Sequence, residues 1–352
     1  MKAGTGCRRR LLAAEFNFTA ARRLRKVYVP YCMNRVLVIR GGAIGDFILT
    51  LPALRGLRGA YPQAHIEILG YKHIAVLAEN RFYAQAIRSI EYGPMSGFFA
   101  RDSKLSPELS SYFSSFDLIL SYLYDPDGVF ENNLRRCRAR QIVRGPAKID
   151  NSQHAARQLA QPLLELGIRV EDLAVRLYPS LEDRNFAAKF LADCARPIVT
   201  LHPGSGSEKK NWPLEFWIEI GNQLLSSQNF AGSIVVISGE ADESQRVKLQ
   251  SIWKNPRVRF AKNLPLTRLA ALFADAVFLG HDSGISQLAA ASGAKCILLF
   301  GPTDASIWAP LNENVRVIQA LNGDLRALGG GTVLAACASA LAADAPFTLA
   351  RR

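Results

Sequence analysis

Four consecutive apolar residues, Val36-Leu37-Val38-Ile39, three of them β-branched, predict a buried strand over Asn34–Arg40. A glycine-rich turn, Gly41-Gly42-Ala43-Ile44-Gly45-Asp46, follows directly. Leu51, Leu54, Leu57 and Arg58 then recur at helical spacing, with Pro52 expected near the first turn of that helix. Ile66–Leu69 and Asp117–Leu120 are further apolar runs of strand length. Short strands alternating with helical stretches predict a parallel, doubly wound sheet.

The pattern restarts at Pro197–Leu201, a strand that runs into the loop His202-Pro203-Gly204-Ser205-Gly206. Pro213 is placed to open a helix carrying Phe216, Trp217, Ile220 and Leu224. Strands are expected at Ile234–Ile237, Ala276–Leu279 and Cys296–Phe300, with a helix over Ile285–Ser292. A strand, a glycine loop and a helix thus open each half, and two Rossmann-like domains facing each other are the simplest architecture. The strand-like Ala174–Tyr178 ends at Pro179 and sets the join near Tyr178–Arg184. The division expected is a basic extension over 1–33, one domain over 34–180 and a second over 181–352.

Bulk properties narrow the class. At 352 residues the chain exceeds one comfortable core and suits two domains. Hydrophobic residues at 49% against 21% charged exclude a disordered chain. No apolar run approaches the roughly 18–20 residues that span a bilayer. Cys7, Cys32, Cys137, Cys194, Cys296 and Cys337 are scattered without C-x-x-C spacing, which argues against a disulfide framework or zinc site and points to a reducing cytoplasm. Cys296 reads as a small core residue.

The net charge of +13 is lopsided, because residues 1–32 hold eight basic residues and one acid. That segment lacks a secretory apolar region. It reads as a leader ahead of a functional start at Met33, as a basic segment resting on a membrane, or as a targeting peptide; the first is favoured, since the first clear strand begins two residues beyond Met33. A basic body suits an anionic ligand or an anionic membrane surface, and no nucleic-acid-binding pattern accompanies it.

Four motifs carry candidate chemistry. Gly41, Gly42 and Gly45 let the backbone approach a ligand beyond a strand end. Asp46 in the same turn either caps the helix or faces the cleft as a general base, and the spacing does not match G-x-G-x-x-G. His202–Pro213 gathers Ser205, Gly206, Ser207, Lys210 and a helix start within twelve residues, a combination that holds phosphate oxygens. Asp282, Ser283 and Gly284 form another strand-end turn; Ser283 and the Gly284 amide suit a second phosphate, while Asp282 caps the helix or accepts from a sugar hydroxyl. Glu240, after Ser238-Gly239, suits ribose hydroxyls. Leu266, ahead of an expected N-cap at Thr267, suits a base pocket or the core. Asp125-Pro126-Asp127 reads as a turn rather than a metal pair, and the histidines show no metal spacing.

Together these segments resemble glycosyltransferase family 9, the ADP-heptose:lipopolysaccharide heptosyltransferases. The resemblance lies in Gly41–Leu54, His202–Gly206 with Lys210-Asn-Trp-Pro213, Gly239-Glu240, Asp282–Ala290, and Phe300–Asp304 with Trp308-Ala-Pro310. It covers roughly residues 34–310 in order. It implies a GT-B fold, with the acceptor in the first domain and the nucleotide sugar in the second. Asp46 then matches the catalytic base, Ser205–Ser207 and Lys210 the diphosphate site, Glu240 the ribose contact and Leu266 the adenine wall. Asp282, Ser283 and Gly284 match the donor-sugar and phosphate turn. Gln287 stands where the family usually has His, and Gln cannot carry positive charge. Ser121–Arg138 also departs from the family's usual Asp-rich strand end, which leaves the acceptor open.

The activity so implied is a metal-independent, inverting transfer from an ADP-linked sugar, used as substrate with no cofactor, to a glycan or glycolipid hydroxyl. A nucleotide-sugar epimerase of the same architecture and a degenerate nucleotide-sugar sensor are the alternatives.

Overall fold

The computed structural model describes residues 33–342, so the readings of residues 1–32, Cys7 and Cys32 included, lie outside the described residues. Among the described residues, eleven strands form two sheets, and every pairing between these strands is parallel.

The first sheet takes β1 (Arg35–Arg40), β2 (His65–Gly70), β3 (Ala86–Ser89), β4 (Leu118–Ser121) and β5 (Ile142–Arg144) in the order β3-β2-β1-β4-β5. Val36 lies level with both Ile66 and Leu118, which makes β1 central and explains why Val36 to Ile39 are all fully buried. The second sheet takes β6 (Ile198–His202), β7 (Ser233–Ser238), β8 (Val258–Lys262), β9 (Val277–His281), β10 (Lys295–Phe300) and β11 (Val315–Gln319). Its order is β11-β10-β9-β6-β7-β8. In both sheets the strand order reverses beside the first strand, between β1 and β4 and between β6 and β9. Ligands bind at such switch points, beyond the carboxyl ends of the strands. The Gly41–Asp46 turn leaves β1, and the His202–Lys210 loop leaves β6.

Several local expectations needed correction. Pro52 sits inside the helix Ile44–Ala60, well past its first turn. Its missing N–H is tolerated because Phe47 to Leu54 bury a continuous face that holds the helix to the sheet. The helix after β8 starts at Leu266 with Pro265 as its cap, not at Thr267. Ala174–Tyr178 is not a strand. Its backbone pairs with groups of the second half instead: Leu177 donates to the Ala291 carbonyl at 2.8 Å, and Asn312 Nδ2 donates to the Val175 carbonyl at 2.8 Å. All four edge strands, β3, β5, β8 and β11, escaped the pattern, because none carries a long continuous apolar run.

One apolar core runs through both halves. It includes Leu49 and Leu54 of the first helix with Leu269, Leu288 and Ala289 on the far side. The Arg81 guanidinium, from the first half, reaches Asp183 at 2.7 Å and the Tyr178 carbonyl at 3.0 Å. His154 caps the short helix Ala155–Ala160 through Nδ1, and its Nε2 meets the Ala309 carbonyl at 2.8 Å. Cys296 is fully buried in this core, and burial pushes its thiol pKa up.

Candidate active site between the two sheets

A cavity of about 590 Å³ opens between the carboxyl ends of the two sheets, of the size that holds a small-molecule ligand. Gly42, Gly45, Ser205, Gly206, Glu240, Leu266, Ser283 and Gly284 line it. A second cavity of about 490 Å³ lies on the first domain's side and is lined by Gly41, Gly42 and Asp46 together with Arg40 and Tyr122–Tyr124. Gly42, Tyr71 and Glu91 line both, so the two compartments share a wall. Ser207, Lys210, Asp282 and Gln287 line neither.

The large cavity is bounded by two helix starts. Helix Ile44–Ala60 presents Ala43 to Gly45, and helix Gly284–Ala291 presents Ser283 to Ile285. The amides of a first turn have no intrahelical acceptor, and each start carries about half a positive charge. The two come together because both helix starts have glycine at the crossing. A Cβ on Gly284 would stand 2.8 Å from Ile44 Cβ and 2.9 Å from the Gly45 nitrogen. Gly45, expected only in the cleft loop of the first domain, therefore also forms a wall of the larger cavity.

Two of the hydroxyls expected to hold phosphate, those of Ser205 and Ser283, are already committed. Ser205 Oγ donates to the Ser207 carbonyl at 2.8 Å. Ser283 Oγ accepts from the Ser286 amide at 3.2 Å as the helix cap. Ser286 Oγ donates to the His281 carbonyl, which leaves Ser283 the donor in its 3.1 Å contact with Ser286 Oγ. The donors left for an anion in the cavity lining at these two turns are backbone amides, and Ser207 lies outside that lining. Lys210 and Asp282, expected to act separately, form one ion pair at 2.6 Å. Glu240 is exposed on the cavity wall, and no partner for its carboxylate occurs among the described residues.

Asp46 holds the helix start and also faces the cleft. Its Oδ2 accepts from the Ala43 amide at 3.0 Å, as a third-position carboxylate does at a helix start, and its Oδ1 lies 3.5 Å from Arg40 Nη2. Its side chain nevertheless stays 37% exposed in the second cavity. Arg40 is buried beneath it, and burial pulls the guanidinium below its usual pKa while Asp46 and the Tyr122 phenol work against that. Asp125 accepts from the Phe130 and Glu131 amides at 3.1 and 3.0 Å, which confirms a turn. Gln287 is 5% exposed and donates to the Trp308 carbonyl at 2.6 Å, so its amide braces the Ala305–Trp308 helix.

A buried polar cluster beneath the loop escaped the pattern. His202 Nε2 meets Asp242 Oδ2 at 3.2 Å, and the Gly239 amide donates to the same oxygen at 3.2 Å. Burial works against the charge on Asp242, but His202 and that amide hold its pKa below the usual range. A Cβ on Gly204 would fall 1.7 Å from Asp242 Oδ1, which is why the loop needs glycine there. His281 Nε2 accepts from the Trp212 amide at 2.7 Å, and Nδ1 faces the Gly204 carbonyl at 3.4 Å. Full burial, with His202 nearby, lowers the His281 pKa to about 3 and keeps the ring neutral. His202 and Ser238 line the large cavity, each with one buried polar atom, Nδ1 and Oγ, that has no partner among the described residues. Paired polar residues 40 apart in sequence leave no local signature. Only the strand-end positions of His202 and His281 hinted at them.

The model of glycosyltransferase family 9 (heptosyltransferase) matches residues 143–329, more than half of the chain. The chain belongs to this family. It is accordingly a glycosyltransferase, and its two parallel-sheet domains form the GT-B fold. Lipopolysaccharide heptosyltransferase 3 of Escherichia coli is 23% identical over 312 residues, 80% of this chain and 87% of that protein. Lipopolysaccharide heptosyltransferase 1 of Pseudomonas aeruginosa is 26% identical over 294 residues, 77% of this chain and 79% of that one. The family 9 glycosyl transferase from Veillonella parvula superposes with a TM-score of 0.74 at 17% identity, over 88% of this chain and 98% of its own. E. coli heptosyltransferase WaaC, solved with ADP, superposes with a TM-score of 0.64 at 20% identity, over 87% and 99%. The matched family segment begins beyond Asp46, so it carries no assignment for that residue. Among the described residues, no three His, Cys, Asp or Glu side chains are grouped to hold a metal, and no helix is long and apolar enough to cross a membrane.

Proposed function

We propose that this family 9 enzyme transfers a heptose from an ADP-linked donor to a hydroxyl of the lipopolysaccharide core or a related glycan, with inversion and without a metal. The observation that carries the reading is the convergence of two helix starts on the larger cavity, beside a second cavity that exposes Asp46. The relatives named for heptosyl transfer support the choice of sugar, and the structure solved with ADP supports the nucleotide. Family membership favours transfer over epimerisation and over a degenerate sensor. The work would be done at the cytoplasmic face of the membrane, with the acceptor lipid-linked.

In this reading the nucleoside lies against Leu266 with its ribose on Glu240. The diphosphate faces the Ser205–Gly206 and Ser283–Ile285 amides. Asp46 takes the proton of the acceptor hydroxyl as its oxygen attacks the anomeric carbon. The bond from that carbon to the diphosphate oxygen breaks on the opposite face, and the electron pair leaves with ADP. The helix starts stabilise the charge that develops there, and Lys210 joins them by exchanging Asp282 for a phosphate oxygen.

The test is Asp46→Asn. Transfer should fall by about 10²–10⁴-fold, the usual contribution of a general base. ADP should still raise the unfolding temperature as in the parent protein. Near-parental turnover in the variant would remove Asp46 from the chemistry. Loss of ADP binding would show instead that Asp46 shapes the nucleotide compartment.

A further inference from the structure

The second cavity has a wall unlike the first. Phe99 and Tyr124 line it and remain 48% and 63% exposed, although Tyr122 of the same lining is buried. Phe99 is held from behind by Phe130, with ring centres 4.9 Å apart. An aromatic face presented to solvent inside a cavity is a platform for a flat apolar surface. The C–H face of a pyranose is such a surface, and its slightly positive hydrogens suit the negative face of the ring.

The charges in that lining are Arg40, Asp46 and Glu91. Arg40 is buried against Asp46, so those two offset each other. Glu91 is left as a free carboxylate: its side chain has no ion pair or hydrogen bond among the described residues, and it sits where the two cavities join. A carboxylate only accepts hydrogen bonds, so it suits sugar hydroxyls and repels a phosphate or a sugar acid. Arg40 apart, no Lys or Arg lines this cavity among the described residues. Lys148 lies 4.5 Å over the Tyr124 ring, Arg101 pairs with Asp127 at 3.4 Å, and Arg144 pairs with Glu131 at 3.4 Å.

We propose that this compartment receives an uncharged pyranose ring of the acceptor, stacked on Tyr124 and Phe99, with Glu91 accepting from its hydroxyls. The proposal rests on the reading of the cleft as adjoining donor and acceptor compartments, and it adds the chemical class of the acceptor ring. Lys148, on the Tyr124 ring, leaves the other face of that ring for the sugar and meets negative groups elsewhere on a longer acceptor. Glu91 is thereby a substrate-binding residue, distinct from the base.

The experiment uses the full chain saturated with ADP, with methyl pyranosides and their 6-phosphates as probes in saturation-transfer NMR. Uncharged methyl pyranosides should receive magnetisation from the protein. Tyr124→Ala should weaken their binding about tenfold, the worth of one aromatic contact, and Tyr124→Trp should restore it. Glu91→Gln should narrow the preference for uncharged over phosphorylated probes. The proposal is overturned if no uncharged pyranoside binds, if the 6-phosphates bind more tightly than their parents, or if Tyr124→Ala binds as the parent does. Calorimetry with ADP alone reports on the nucleotide compartment, so a failure there is recognised separately from a failure of the sugar subsite.

Discussion

The neutral His281 imidazole should make the stability of this protein fall as pH drops through a defined window. Its pKa is about 3 in the folded chain against an ordinary value of 6.5, because the ring is fully buried and has His202 nearby. Asp242 favours the proton but is outweighed by burial. The neutral ring accepts from the Trp212 amide through Nε2 and directs Nδ1 to the Gly204 carbonyl. Between these two pKa values the unfolded chain binds a proton that the folded chain refuses. The stabilisation is therefore complete above 6.5 and is lost progressively as the pH falls from 6.5 towards 3. The slope is about 1.4 kcal/mol per pH unit, so about 2 kcal/mol has gone by pH 5. Urea unfolding of the parent and of His281→Gln at pH 7.5, 6 and 5 measures it. Gln can still accept from the Trp212 amide but does not titrate. The variant should be less stable at pH 7.5 and lose less between pH 7.5 and 5. Burial lowers the His154 pKa as well, but His154 is present in both proteins and cancels in the difference. Equal losses in the two proteins would refute the assignment.

Four further outcomes are expected. Gly284→Ala should cost about 1–3 kcal/mol by overpacking against Ile44 and Gly45, seen as a lower urea midpoint with reduced transfer. Gly331→Ala, whose added Cβ meets nothing within 4 Å, should be neutral or gain up to about 1 kcal/mol. Lys210→Met should weaken ADP about tenfold and make that binding less sensitive to salt, read by calorimetry at two ionic strengths; an unchanged affinity would leave Lys210 as only the partner of Asp282. ADP at about 100 times its Kd should stabilise the fold by about 2.7 kcal/mol with or without EDTA, whereas UDP and GDP should do less; a shift that EDTA abolishes would contradict the metal-free reading.

Much of the architecture was legible in the chain itself. Val36–Ile39, Ile234–Ile237 and Cys296–Phe300 are continuous apolar runs because both faces of a central parallel strand are covered, so local pattern suffices to find them. The glycine turns after β1, β6 and β9 were equally visible, since a tight turn at a strand end constrains residue type locally. The edge strands β3, β5, β8 and β11 were not, because partial cover removes the apolar signature. Eight of the candidate residues line the larger cavity for the same local reason: they sit at the carboxyl ends of strands beside a switch point.

What only the tertiary structure decided is how distant groups share a charge or a wall. Lys210 and Asp282 are 72 residues apart and spend their charges on each other. His202, Asp242 and His281 form a cluster from three strand ends, and no spacing announces it. Gly45 and Gly284 matter because they face one another across the cleft, and Glu91 matters because it stands free where the two cavities meet. A sequence records residue types and local periodicity. It does not record which hydroxyl hydrogen is already committed, or which carboxylate is left unpaired once the chain has closed on itself.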